Sequence, residues 1–250
     1  MSDFNGRFGT SAFPARADMS VDAGLRAFML GVYNKLGLGL LIAAALAWST
    51  VNVPAVETAL YRIEFGRVIG FTPLGTAVQW SPLVILLFSS FTMRNPTAKG
   101  ASLIYWLVVS LIGLSLGVVF LAYTGGSVAS TFFATAAAFG GLSLYGYTTK
   151  RDLTAFGAFL MVGLIGLIVA SLVNVLLLHS SGATFVISII GVLIFAGLTA
   201  YDTQKLKMVY YQVGGDRNAL GVMTSYGALS LFLDFLNLFL FLLRIFGNRR

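Results

Sequence analysis

The sequence predicts an all-α, polytopic membrane protein, and three observations carry that prediction. Of its 250 residues, 58% are hydrophobic and only 10% charged, whereas a soluble domain carries about 25% charged residues. Apolar runs of roughly twenty residues recur along the chain, the length an α-helix needs to cross a bilayer. Those runs exclude an outer-membrane barrel, whose strands span about ten residues of alternating polarity. Cysteine is absent, which removes disulfides, thiolate metal sites and cysteine nucleophiles. The net charge of +7 is scattered between the apolar segments. It therefore reads as membrane orientation, not as a nucleic-acid footprint.

Residues 1–24 are polar and mixed in charge, with Asp3, Arg7, Arg16, Asp18 and Asp22, and are expected to form a cytoplasmic arm. No short apolar core follows directly on a basic start, so a cleavable signal peptide is not expected. Residues 25–250 are read as a seven-helix transmembrane domain. The first segment runs from about Gly31 to Val53, with Lys35 near its start, where a lysine can snorkel to the interface. The loop after it carries Glu57, Arg62, Glu64 and Arg67 and has room for a small interfacial element. A second segment, about Leu74 to Met93, is interrupted by Pro82 and ends at Arg94-Asn-Pro96. The third covers about Ala101 to Tyr123 and turns through Thr124-Gly-Gly-Ser127 into the fourth, about Val128 to Tyr147. Lys150-Arg151-Asp152 leads to the fifth, about Leu153 to Leu178, and His179-Ser-Ser-Gly182 is the next turn. The sixth spans about Ala183 to Tyr201 with an amphipathic extension toward Tyr211, and the seventh about Leu220 to Phe246.

Orientation follows from the lysines and arginines. About ten of them fall on the arm and on the second-to-third, fourth-to-fifth and sixth-to-seventh connections. The turns at Thr124 and His179 carry none, so the positive-inside rule places the N-terminus in the cytoplasm. Arg244, Arg249 and Arg250 at the other end work against that scheme, and the last segment is expected to span despite them.

Two apparent motifs lead nowhere. Gly113-Leu-Ser115-Leu-Gly117 matches the nucleophile-elbow pattern, but it lies inside an apolar helix and lacks the strand–turn–helix context and histidine partner. The single histidine, His179, reads as an interfacial turn residue, and one histidine without cysteine cannot assemble a zinc site. No cofactor is expected.

Asp202 and Asp234 are the only acids within sequence of membrane depth, one in each of the last two segments. They are equidistant from Asn218 in the polar turn Gly214-Gly-Asp-Arg-Asn218. Two helices rising about 1.5 Å per residue from that turn bring the carboxylates to similar depth. A charge there costs roughly 2.5–3.5 kcal/mol on insertion scales, which makes function the default hypothesis. Held close, the two would share a proton and could sense pH, hold a cation when both are ionised, or act as a protease dyad. The plainer alternative is helix-to-helix hydrogen bonding, with Asn237 on the same face as Asp234. The layout has some likeness to presenilin-type intramembrane aspartyl proteases. Those need Gly-x-Gly-Asp at the second aspartate, where this chain has Leu231-Phe-Leu before Asp234 and no Pro-Ala-Leu motif after it.

At these residues the chain resembles the Bax inhibitor-1, or transmembrane Bax inhibitor motif, family. The resemblance rests on Phe195-Ala-Gly-Leu-Thr-Ala-Tyr-Asp-Thr-Gln-Lys205, on Gly227 to Gly247, and on Thr131 to Asn174 with Phe139-Gly-Gly-Leu-Ser-Leu-Tyr-Gly-Tyr-Thr-Thr-Lys-Arg-Asp-Leu153. It implies seven helices with the last one central, and a pH-sensitive calcium leak governed by a paired-aspartate sensor that falls on Asp202 and Asp234. It also implies an arginine on the second helix that pairs with the sensor in the closed state, for which Arg94 is the nearest candidate. No enzymatic activity is implied. Some bacterial members are associated with modulating a membrane protease, so a non-conducting regulator is the alternative. With only Asn248-Arg-Arg250 after the last segment, the expected place is a bacterial inner membrane. The expected partners are the lipid bilayer, protons and calcium as the transported ion.

Overall fold

The computed structural model describes residues 23–64, 67–92, 96–213 and 216–250. Helix α1 (Ala23–Asn52) leads into a short α2 (Pro54–Leu60) and an antiparallel hairpin of β1 (Tyr61–Glu64) and β2 (Arg67–Phe71). Helices α3 (Pro73–Thr92), α4 (Ala98–Ser115), α5 (Gly117–Ala122), α6 (Gly125–Thr148) and α7 (Thr154–Val173) follow. α7 continues as a π-helical turn, Asn174–Leu178, before α8 (Ser181–Val213) and α9 (Arg217–Phe246). α2 and the hairpin fill the place where the sequence leaves room for an interfacial element.

Among the described residues, six helical runs are long and apolar enough to cross a membrane: α1, α4 with α5, α6, α7 with its π turn, α8 and α9. The expected seventh span is α3, whose apolar stretch, Pro73–Ser89, is shorter. Length and composition therefore support six spans, not the full seven. α3 nevertheless carries the chain back across the bundle. α1 and α4 run parallel, as the successive approaches Gly39 to Tyr105, Gly113 to Ala43 and Gly117 to Thr50 require. The chain must return between them, and α3 does so, its Val78 carbonyl accepting from Ser115 Oγ at 3.3 Å.

The ends of the helices are set by local chemistry. Thr97 caps α4 by accepting from the Gly100 amide at 3.1 Å, and Asp216 caps α9 by accepting from Asn218 and Ala219. Each supplies an acceptor to orphan first-turn amides. Asn218 then accepts from the Ala98 amide at 3.0 Å, which ties the starts of α4 and α9 together. At the far end the Thr124 amide donates to Asn248 and the Arg250 amide to Ala122. α9 is thus one unbroken helix from end to end of the bundle, as expected of a last segment that spans.

α9 is the centre. It packs on α8, α4, α1 and α6, with Ala228, Leu231, Phe232, Phe235 and Leu238 buried. Phe235 meets Phe132 and Phe139 of α6 edge-on, with ring centroids 5.3 and 5.5 Å apart. Apolar burial from lipid gives little drive to helix association, so close backbone approach and interhelical hydrogen bonds carry more of the load. Gly113 provides one such approach, since a Cβ there would lie 2.7 Å from Ala43 Cα. α7, in contrast, turns Phe159, Val162, Ile165 and Val169 outward to the bilayer.

The decoy motif lies not inside one helix but across a turn: Gly113 and Ser115 end α4 and Gly117 starts α5, with no strand before them, and Ser115 Oγ donates to the Leu111 carbonyl of its own helix at 2.9 Å. His179 is a turn residue. It takes a left-handed backbone, φ 49°, and its amide donates to the Asn174 carbonyl at 2.7 Å to close the π turn.

Candidate functional site

α8 and α9 form the most intimate helix pair in the bundle, and their interface brings Asp202 and Asp234 together. Ser230, one turn before Asp234, donates its hydroxyl hydrogen to Asp202 Oδ2. Asp202, Lys205 and Asp234 line the same cavity. Asp234 is 6% exposed. Its Oδ2 is buried and finds no hydrogen-bond partner among the described residues. Such an orphan acceptor in a low-dielectric interior costs about 1–3 kcal/mol or more. A proton held between the carboxyl groups would supply the missing donor.

The pair opens onto a cavity of about 1020 Å³ between α7, α8 and α9, with Leu83 of α3 at its edge. Its polar wall consists of Tyr201, Asp202, Lys205, Ser230, Asp234 and Asn237, and the wall contributed by α7 is apolar apart from Ser171. Leu231 and Phe232, the bulky residues before Asp234, are fully buried in the core and do not line this cavity, whereas Leu233 does.

Asn237 shares the cavity, but its Nδ2 donates to the Leu233 carbonyl of its own helix at 2.8 Å. Arg94 lies outside the described residues. No cluster of three or more histidine, cysteine, aspartate or glutamate side chains forms among the described residues. Calcium takes six to eight oxygen ligands. Two carboxylates, a serine hydroxyl and an amide fall short of that number.

Three polar anchors, Lys35 half-buried and Lys207 and Gln204 buried, were not evident from the sequence. Lys35 Nζ donates to Ser102 and Ser225, both at 2.8 Å, and its ammonium lies 5.2 Å from the Tyr105 ring centroid, linking α1, α4 and α9. Lys207 Nζ donates to the Tyr147 carbonyl at the end of α6, at 2.7 Å. Gln204 accepts from the Leu153 amide at 2.8 Å and donates to the Arg151 carbonyl at 2.7 Å, clamping the α6–α7 connection. Ser230 was findable: Ser230, Asp234 and Asn237 recur at helical spacing, which puts them on one face.

Comparison with known proteins agrees with this architecture. The family model described as inhibitor of apoptosis-promoting Bax1 matches residues 25–250. A Caulobacter vibrioides protein is 59% identical over 250 residues, the full length of both chains. The inner membrane protein YbhL of Escherichia coli K12 is 45% identical over 241 residues, 95% of this chain and 99% of YbhL. Rickettsia prowazekii RP147 is 45% identical over 231 residues, 92% of each chain.

Proposed function

This chain belongs to the Bax inhibitor-1 family, and from that premise we propose that it is a pH-sensitive cation leak of a bacterial inner membrane. Calcium is the expected ion, Asp202 and Asp234 are the sensor, and the N-terminus faces the cytoplasm. The inner membrane is carried over from YbhL, whose name places it there. The observation that carries the reading is the buried Asp234 carboxyl, one oxygen unpartnered, facing Asp202 across the α8–α9 interface.

Two ionised carboxylates cannot stay in contact at low dielectric without a compensating charge. The packing seen here is therefore the arrangement that a shared proton favours. Loss of that proton leaves two negative charges that repel one another and attract a cation into the cavity. The proton binds the packed state better than the separated one, so it stabilises the closed state by that difference in affinity. Flux should accordingly rise as pH rises.

The test is calcium uptake by liposomes containing the purified protein, scanned over pH beside Asp202→Asn and Asp234→Asn. Protein-dependent uptake that rises with pH and becomes flat in both variants is the expected result. A normal pH response in both variants removes the dyad from the mechanism. No uptake above empty liposomes at any pH would leave the non-conducting regulator of a membrane protease as the better reading.

A further inference from the structure

A second cavity, of about 640 Å³, lies between α1 and α6 and shares no lining residue with the aspartate cavity. Both helices pack on α9 but barely touch each other, and Phe235 of α9 forms the floor of the groove they leave. On α1 the lining runs from Arg26 to Leu40, and on α6 from Tyr147 back to Ala136. Gly37 and Gly140 line it from opposite walls, and a Cβ added at either would meet nothing within 4 Å. The groove therefore has free width that no side chain among the described residues fills.

Its two ends differ in chemistry. At one end stands Arg26, in the first turns of α1, exposed and paired with no carboxylate among the described residues. Tyr147 faces it at the end of α6, with Lys150 and Arg151 following on the exposed connection to α7. Beyond Tyr33 the lining toward Leu40 and Ala136 is almost wholly apolar. From Arg26 to Leu40 the helical rise amounts to about 21 Å. One leaflet, from headgroup to bilayer midplane, is about 20–22 Å deep. A cation at headgroup level over an apolar trough one leaflet long is the shape of a phospholipid. A transmembrane helix would need that width along the full bilayer, whereas beyond Leu40 the seam narrows to a cavity of about 60 Å³ lined by Ala43, Ala47, Val128 and Phe132.

We infer that the α1–α6 groove is a binding site for one anionic phospholipid, its phosphate at Arg26 and an acyl chain along Gly37 and Gly140 against Phe235. The inference is independent of the aspartate pair, which faces the other cavity. It assigns the basic ends of α1 and α6 a role in holding a lipid of the adjacent leaflet, beyond orienting the chain.

The test is native mass spectrometry of the full chain released from nanodiscs of equal phosphatidylglycerol and phosphatidylcholine. The native protein is expected to retain one phosphatidylglycerol. Arg26→Gln should lower its preference over phosphatidylcholine by about fivefold, the weight of one interfacial basic residue. Gly140→Leu should abolish retention of either lipid, while Gly141→Leu, on the same helix but outside the groove, should leave it intact. Circular dichroism melts establish that each variant is folded, and an unfolded Gly140→Leu is replaced by Gly37→Leu on the facing wall. Retention unchanged in the folded groove variant overturns the site. So does a native dimer that Gly140→Leu converts to monomer, because the groove would then be an interface between copies.

Discussion

Ser230 and Asp202 join the two helices that carry the acid pair: the hydroxyl of Ser230 on α9 donates to the carboxyl of Asp202 on α8. Because Ser230 and Asp234 share a face one turn apart, that bond also fixes the lateral register at which Asp202 meets Asp234. In the proposed mechanism the sensor is thus a triad of side chains, two acids and a positioning hydroxyl.

Ser230→Ala should therefore destabilise the protein by about 0.5–1.5 kcal/mol, the net worth of a typical hydrogen bond, here a half-buried one. Thermal unfolding in detergent measures it. In a cycle with Asp202→Asn, the double variant should lose less than the sum of the two singles, because the removed partners share one interaction. Additive losses would mean that the hydroxyl does not support the acid.

A pH-dependent contact outside the membrane can be checked separately. Asp152 starts α7 by accepting from the Thr154 amide at 2.8 Å. Hydrogen bonds from the side chain and amide of Thr154 hold its carboxyl below the usual carboxylate range. A carboxylate whose folded value is depressed adds stability above its unfolded value, about 3.8, and loses it as pH falls through the folded one. Asp152→Ala should speed amide exchange across the first turn of α7 at neutral pH. Wild type and variant should converge once the pH drops below the folded value, under about 3.8.

Glycine positions divide into tight and open ones. A Cβ at Gly146 would run into the Ala200 backbone carbonyl, whereas one at Gly141 would meet nothing within 4 Å. Gly146→Ala should cost about 1–3 kcal/mol through overpacking of α6 against α8. Gly141→Ala should be neutral or stabilise by roughly 0.5–1 kcal/mol through helix propensity. Equal melting shifts for the two would contradict this packing.

Much of this was legible in advance because the bilayer imposes it. Segment lengths, the polar turns and the intramembrane acids follow from the cost of polar groups in hydrocarbon. Asp202 and Asp234 could be paired in depth because one turn connects their helices and the rise per residue is fixed. The partners of Lys35 and Lys207 could not be read that way. A lysine near a segment end looks the same whether it snorkels to water or turns inward, and only the three-dimensional placement of Ser102, Ser225 and the Tyr147 carbonyl decides between them. α2 and the hairpin were also out of reach, since Arg62, Glu64 and Arg67 announce a loop but not its internal pairing. Six long spans in place of seven reflect α3, where Pro82 and polar ends shorten the apolar stretch.

Gln204 offers the sharpest separation of structure from sensing. It sits two residues from Asp202 yet points to the other side of α8, where it is 6% exposed and satisfies both the Leu153 amide and the Arg151 carbonyl. Gln204→Leu keeps the volume and strands two backbone groups of the α6–α7 connection, each costing about 1–3 kcal/mol when buried unpaired. Gln204→Glu retains the acceptor for Leu153 and loses only the donor to Arg151, so it should cost less than the leucine variant. Exchange protection at residues 151–157 should fall in the same order. Since neither change touches the Asp202–Ser230 bond, the pH profile of calcium uptake should keep its shape in both. A profile flattened as in Asp202→Asn would instead mean that the α6–α7 connection is part of the sensor.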